Sequence, residues 1–152
     1  MYSETVIKHY RSPLNVGELP DADGVGVYLS ETCGDVTFFY IKVEDDRIKD
    51  VRFKTQGCAA SIASGSMLSQ MTKGKTLGEA LKISKDDIAS ALGGLPEVKI
   101  HCSLLATDAL ADAVYDYLKR RGLEIPRELV EKHEKVRPQL EKLQEMGYIP
   151  KI

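Results

Sequence analysis

The sequence predicts an α+β fold, in which a three-stranded antiparallel sheet packs against several helices and a C-terminal helical extension follows. Two observations carry this prediction. Three strand-like segments follow one another with short turns between them. Most of the chain after residue 57 shows the three- and four-residue spacing of apolar side chains that is typical of helices. Because strands and helices are grouped rather than alternating, we expect an antiparallel sheet.

The elements before residue 57 are predicted to be one helix and three strands. Ser3 is suited to cap a short first helix, which Pro13 ends. A loop rich in proline and glycine follows. Asp45 and Asp46 are suited to the turn between the last two strands. β-Branched and aromatic residues predict strands over residues 25–32, 36–43 and 47–55.

The third strand pattern contains a phase shift. Ile48 is out of phase with Val51 and Phe53, so its side chain would face the other side of a regular sheet. We therefore expect a β-bulge near Lys49 or Asp50.

The segments after residue 57 are predicted to be helical. The longest helix begins near residue 102, and Asp108, Asp112 and Asp116 fall on its polar face. Pro138 is expected to kink or split the last helix. We expect residues 1–122 to form one domain, with residues 123–152 as a helical extension packed on or beside it. The other helices are expected over residues 59–68, 77–82 and 85–92, and from residue 126 onwards.

The composition is that of one globular domain: 152 residues, of which 43% are hydrophobic and 29% charged. A formal net charge of -2 offers no cationic surface for nucleic acid. No apolar run is long enough to span a membrane, and the first residues lack the pattern of a signal peptide. We therefore expect a cytoplasmic protein that binds neither nucleic acid nor membrane.

Three cysteines are the candidate functional residues. An odd number in a reducing compartment makes disulfide bonding the least favoured use. Cys33 lies between two strands, Cys58 between a strand and a helix, and Cys102 before a helix, so all three occupy junctions that can converge at one edge of a sheet. Their spacing matches no zinc-finger template, so local context is the stronger indication.

Cys102 has the most distinctive local context. His101 is its neighbour, and Lys99 lies three residues earlier. Free N–H groups at a helix start and a nearby lysine both favour thiolate over thiol, which makes a cysteine a better nucleophile and metal ligand. Lys99 is expected either to tune this site or to contact a partner. A lone cysteine before a helix could also be a small buried hydrophobic residue.

The residues around the three cysteines resemble the cysteine motifs of IscU/NifU-type iron-sulfur cluster assembly scaffolds. The matching segments are residues 31–35, 57–61 and 98–103, and the resemblance extends over residues 2 to 121. It implies an IscU-like fold and a scaffold rather than an enzyme. Such scaffolds accept sulfur from an IscS-like cysteine desulfurase, gather iron, build a [2Fe-2S] cluster and pass it to client or carrier proteins.

The resemblance also implies a set of ligands. Iron-sulfur clusters favour four thiolates, and this chain has only Cys33, Cys58 and Cys102. The fourth ligand is expected from Asp35, from His101 or from a partner's thiol. Asp35 is implied to make the cluster labile, and His101 to be a ligand or a nearby proton donor. We expect Cys102, ahead of Cys58, to accept sulfur first.

Two segments depart from the family pattern. Relatives that work with a dedicated Hsp70-type chaperone have a second proline where this chain has Glu97, which weakens the case for that partner. No family role can be carried onto residues 123–152. His101 and the short connection before it argue against the SufU-type relatives, which bind zinc and relay sulfur.

Two other classes of function compete with the scaffold. The same cysteines with Asp35 or His101 could form a tetrahedral zinc site in a structural or regulatory protein, and a scaffold could also take zinc in place of iron. A thiol enzyme with Cys102 as nucleophile and His101 as base is the weakest hypothesis. Side chains of adjacent residues seldom point together, and no oxyanion-hole motif is visible.

Overall fold

The computed structural model describes residues 2–30 and 34–147, apart from the side chain of residue 143. These residues form the predicted α+β fold. A 3₁₀ turn, Glu97–Lys99, leads into the longest helix. The helices and strands are α1 Glu4–Arg11, β1 Gly24–Leu29, β2 Val36–Glu44, β3 Arg47–Gln56, α2 Ala59–Thr72, α3 Leu77–Leu81, α4 Lys85–Ala91, α5 Ile100–Arg120 and α6 Arg127–Glu145.

The sheet is an antiparallel meander with the strand order β1-β2-β3. Asp45 and Asp46 both have positive φ angles, 53° and 62°, as a tight hairpin turn requires. Lys42 pairs with Asp50 and Val43 with Ile48, which leaves Lys49 as an extra residue in β3. The predicted bulge is therefore confirmed, and it lets Ile48 share the buried face of the strand.

The main core lies between one face of the sheet and the helices α2 and α5. Phe39 and Phe53 stack at its centre, with ring centroids 5.8 Å apart. The small residues of α2 allow the helix to lie close to the strands. A Cβ atom added to Gly65 would lie 2.5 Å from the Phe53 ring.

The strand β1 lies directly against the backbone of α5. Asp112 accepts a hydrogen bond of 3.0 Å from the Val27 N–H, and Asp116 accepts one of 2.8 Å from the Val25 N–H. The polar face of α5 is therefore not a solvated surface: Asp112 is only 6% exposed. Its carboxylates satisfy the outer N–H groups of an edge strand, which would otherwise be free to pair with another chain.

The helix α6 packs on α5 and β1. Val136 and Leu140 join Val27 and Val36 in a second, smaller apolar cluster on the other face of the sheet. His133 contacts Asp112 through Nδ1 at 2.8 Å. The helix continues through Pro138, so this proline does not split it; the other expected outcome, a kink, stays a prediction. Among the described residues, no helix is long and apolar enough to cross a membrane.

Candidate metal centre

Two of the predicted cysteines meet where α2 and α5 begin. Cys58 caps α2, and Cys102 lies in the first turn of α5, which starts two residues earlier than expected. Their Sγ atoms are 3.7 Å apart, and no disulfide bond joins them. Cys102 is 1% exposed, whereas Cys58 is half-buried. The fold thus brings together two thiols from residues that are 44 positions apart in the sequence.

Asp35 completes a three-residue group with this pair. One carboxylate oxygen of Asp35 and the two sulfur atoms all lie within 4.8 Å of one another. A hydrogen bond of 2.8 Å from the Ser30 N–H to the Asp35 carbonyl holds the backbone of Asp35 in place. Gly34, just before it, has a φ of +72°, which favours glycine.

Cys33, the remaining predicted ligand, falls in residues 31–33, outside the described residues. Its role as a ligand stays a prediction. The described part of the chain supplies two sulfur donors and one oxygen donor to the group. A four-coordinate metal would need at least one further ligand, which the sequence assigned to Cys33.

The Ser61 hydroxyl lies between Asp35 and the thiol pair. Ser61 Oγ donates to Asp35 Oδ2 at 2.7 Å and lies 3.6 Å from Cys58 Sγ. Gly57 makes room for this arrangement, since a Cβ atom there would lie 2.7 Å from Asp35 Oδ2. The role of Ser61 was not predicted from the sequence. The three-residue spacing from Cys58 to Ser61, which places both residues on one helical turn, could have indicated it.

Hydrogen bonding favours the thiolate of Cys58. Burial raises the pKa of the Cys58 thiol, but hydrogen bonds from Ser61, Cys102 and the Ala60 backbone outweigh burial and hold that pKa below the ordinary value. The Ser61 hydroxyl has only one proton, and the shorter bond to Asp35 competes for it. The backbone N–H groups in the first turn of α2 are therefore the steadier donors to Cys58.

His101 lies beside the thiol pair but outside the three-residue group. Its Nε2 is 3.7 Å from Cys102 Sγ. The expectation that these adjacent side chains diverge is therefore wrong: successive residues of a helix face different directions, but the conformations of these two side chains bring Nε2 and Sγ close together. Lys99 ends the 3₁₀ turn that leads into α5. The roles assigned to His101 and Lys99 stay predictions.

The donor set decides which metals this group can hold. Two thiolates and a carboxylate suit borderline and soft metals such as iron and zinc, which accept sulfur and oxygen together. Calcium and magnesium favour sites made of oxygen atoms alone. The group is therefore a candidate centre for iron or zinc.

Comparisons with known proteins agree over most of the chain. The family model of the NifU-like N terminal domain matches residues 1–124. The iron-sulfur cluster assembly scaffold protein IscU 1 of Archaeoglobus fulgidus is 55% identical over 122 residues, 80% of each chain. The iron-sulfur cluster assembly scaffold protein IscU of Escherichia coli K12 is 49% identical over 124 residues, 79% of this chain and 96% of that one.

A solved structure supports the fold. The crystal structure of the N-terminal part of a NifU-like protein from Brucella abortus matches with a TM-score of 0.62 at 22% identity, and the match covers 78% of this chain and 94% of that chain. At that identity the likeness concerns the fold alone. The family model ends before α6, so the helical extension lies outside the matched region. Over the matched residues, which carry the sheet, the thiol pair and Asp35, the chain belongs to the family of NifU-like N-terminal domains.

Proposed function

We propose that this chain is a scaffold on which iron-sulfur clusters are assembled, and that it works in the cytoplasm. It accepts sulfur from a cysteine desulfurase, binds iron, builds a [2Fe-2S] cluster as its cargo and passes the cluster to client proteins. The observation that supports this most is the convergence of Cys58, Cys102 and Asp35 within 4.8 Å. Relatives about half identical to this chain carry the scaffold name.

A scaffold must hold its cargo and also release it. Thiolates bind iron firmly, whereas a carboxylate is a harder ligand and a weaker match for a cluster. Asp35 beside two thiols gives the site one ligand that is easily exchanged. We propose Cys33 as the third thiolate, and a client thiol can then replace the oxygen first.

Zinc binding is the second candidate function, because the same donor set also fits zinc. Anaerobic reconstitution with a cysteine desulfurase, cysteine, ferrous iron and a reductant separates the two. A scaffold becomes coloured through thiolate-to-iron absorption and gives the Mössbauer spectrum of a [2Fe-2S] cluster. Failure to form any cluster, together with stable zinc binding, would favour the zinc protein.

The Asp35→Ala variant is expected to hold its cluster longer. The change removes the hard oxygen ligand and one negative charge from beside anionic thiolates. We expect the half-life of the cluster in the presence of a chelator to rise severalfold. The decay of visible absorption measures it. An unchanged or shorter half-life would show that Asp35 does not make the cluster labile.

Sulfur entry requires a thiolate to attack the outer sulfur of the desulfurase persulfide. A new S–S bond forms on the scaffold cysteine, and the desulfurase cysteine leaves as a thiolate. The sequence favours Cys102 as the acceptor. In the described conformation Cys102 is 1% exposed and Cys58 is more accessible, so entry at Cys102 requires the start of α5 to open.

The order in which the cysteines are labelled identifies the one that accepts sulfur from the desulfurase. We expect a brief reaction with desulfurase and cysteine, followed by alkylation and peptide mass spectrometry, to find the extra sulfur first on Cys102. Cys102→Ser should then remove most of the early label. Early labelling of Cys58 that persists in Cys102→Ser would assign sulfur entry to the more accessible thiol instead.

A further inference from the structure

Both of the side-chain contacts described for the Ser61 hydroxyl are with residues of the candidate metal centre. Its hydroxyl lies 2.7 Å from Asp35 Oδ2 and 3.6 Å from Cys58 Sγ. Ser61 is 2% exposed and Asp35 is 9% exposed, so the bond between them is buried. A buried hydrogen bond to a charged group is stronger than one at the surface, and losing it leaves the carboxylate without that donor.

The surrounding backbone fixes this bond. Ser61 is one helical turn after the cap of α2, and Gly57 leaves space that any larger residue would take from the Asp35 carboxylate. Asp35 directly precedes β2, and its carbonyl accepts a hydrogen bond of 2.8 Å from the Ser30 N–H, which holds its backbone. The hydroxyl therefore sets the rotation of a side chain whose backbone is already fixed.

We propose that Ser61 is the positioning residue for Asp35 in the metal centre. By donating to Oδ2, Ser61 fixes the rotation of the carboxylate, so that an oxygen of Asp35 stays within reach of the two sulfur atoms. This inference rests on the proposed function only in taking Asp35 as a metal ligand. Partners that orient a ligating carboxylate commonly decide the metal affinity of a site.

Co²⁺ tests this inference without any cluster chemistry. Thiolate-bound Co²⁺ is coloured, so anaerobic titration of the reduced protein measures its affinity directly. We expect Ser61→Ala to weaken Co²⁺ binding by about tenfold. In an Asp35→Ala background the same change should have no further effect, because the residue that Ser61 orients is gone. Ser61→Thr, which keeps the hydroxyl, should restore most of the affinity.

Ser69→Ala is the matched control. Ser69 is a fully buried serine of the same helix, and its hydroxyl bonds the Ser66 carbonyl and Asn15, away from the thiols. It should leave Co²⁺ affinity unchanged, while thermal unfolding checks that all variants fold. Wild-type affinity in Ser61→Ala, or an equal loss in the Asp35→Ala background, overturns the inference. If the wild-type protein builds no cluster but the variants show this pattern of Co²⁺ affinities, the proposed function is refuted and the inference about Ser61 stands.

Discussion

Cys58→Ser and Cys102→Ser are each expected to abolish stable cluster assembly. The two sulfur atoms are 3.7 Å apart and share one metal-binding group with Asp35, so losing either removes one of the two thiolates that the described residues supply to it. A serine hydroxyl keeps the size of the thiol but is a poor, mostly protonated ligand for iron. We expect cluster yield after anaerobic reconstitution to fall to below about a tenth of wild type.

Folding must be separated from ligation in these variants. Cys→Ser nearly keeps the volume of the side chain, so far-UV circular dichroism should stay close to wild type, and the unfolding midpoint measures any cost of burying a hydroxyl at residue 102. Cys33→Ser is expected to lose the cluster as well, which would assign the third thiolate. Wild-type yield and spectrum in any one of the three variants would show that its cysteine is not a ligand.

Much of the fold could be predicted because local patterns determine it. The alternation in β3 breaks at Ile48, and a bulge is the simplest way to restore the buried face, so the sequence alone located the extra residue at Lys49 or Asp50. The predicted cap at Ser3 likewise depends on residues within one turn of the helix.

The features that were not predicted from the sequence depend mostly on contacts between distant parts of the chain. Asp112 lies on the polar face of α5 by periodicity, but β1 and α6 cover that face and use the carboxylate as an acceptor. Pro138 is tolerated inside α6, where helix packing outweighs the local preference.

The candidate site also combines features that could be predicted from the sequence with one that could not. That the cysteines stand at junctions could be seen in the sequence, which predicted that Cys58 and Cys102 can converge. The Ser61 bond to Asp35 could not be predicted, because it joins a helix to a residue 26 positions away, just before a strand. Sequence spacing places Ser61 on one turn with Cys58 but says nothing of what faces that turn.

The largest effect on stability is expected from Gly26→Ala. A Cβ atom at Gly26 would lie 2.1 Å from the Ala113 nitrogen and 2.2 Å from the Ala109 carbonyl oxygen. Both are backbone atoms, so no side-chain rotation can relieve the clash. The strand β1 must then move away from α5 and lose the Val27 bond to Asp112. We expect a loss of about 3 kcal/mol in the free energy of unfolding, the upper range for overpacking.

Gly78→Ala is the matched control for that change, since nothing lies within 4 Å of its added Cβ atom inside α3. It should be neutral or raise stability by up to about 1 kcal/mol through helix propensity. Urea unfolding followed by circular dichroism measures both variants. Because β1 leads towards Asp35 and α5 carries Cys102, Gly26→Ala should also weaken Co²⁺ binding. Wild-type stability in Gly26→Ala would mean that β1 and α5 are not in the close contact described.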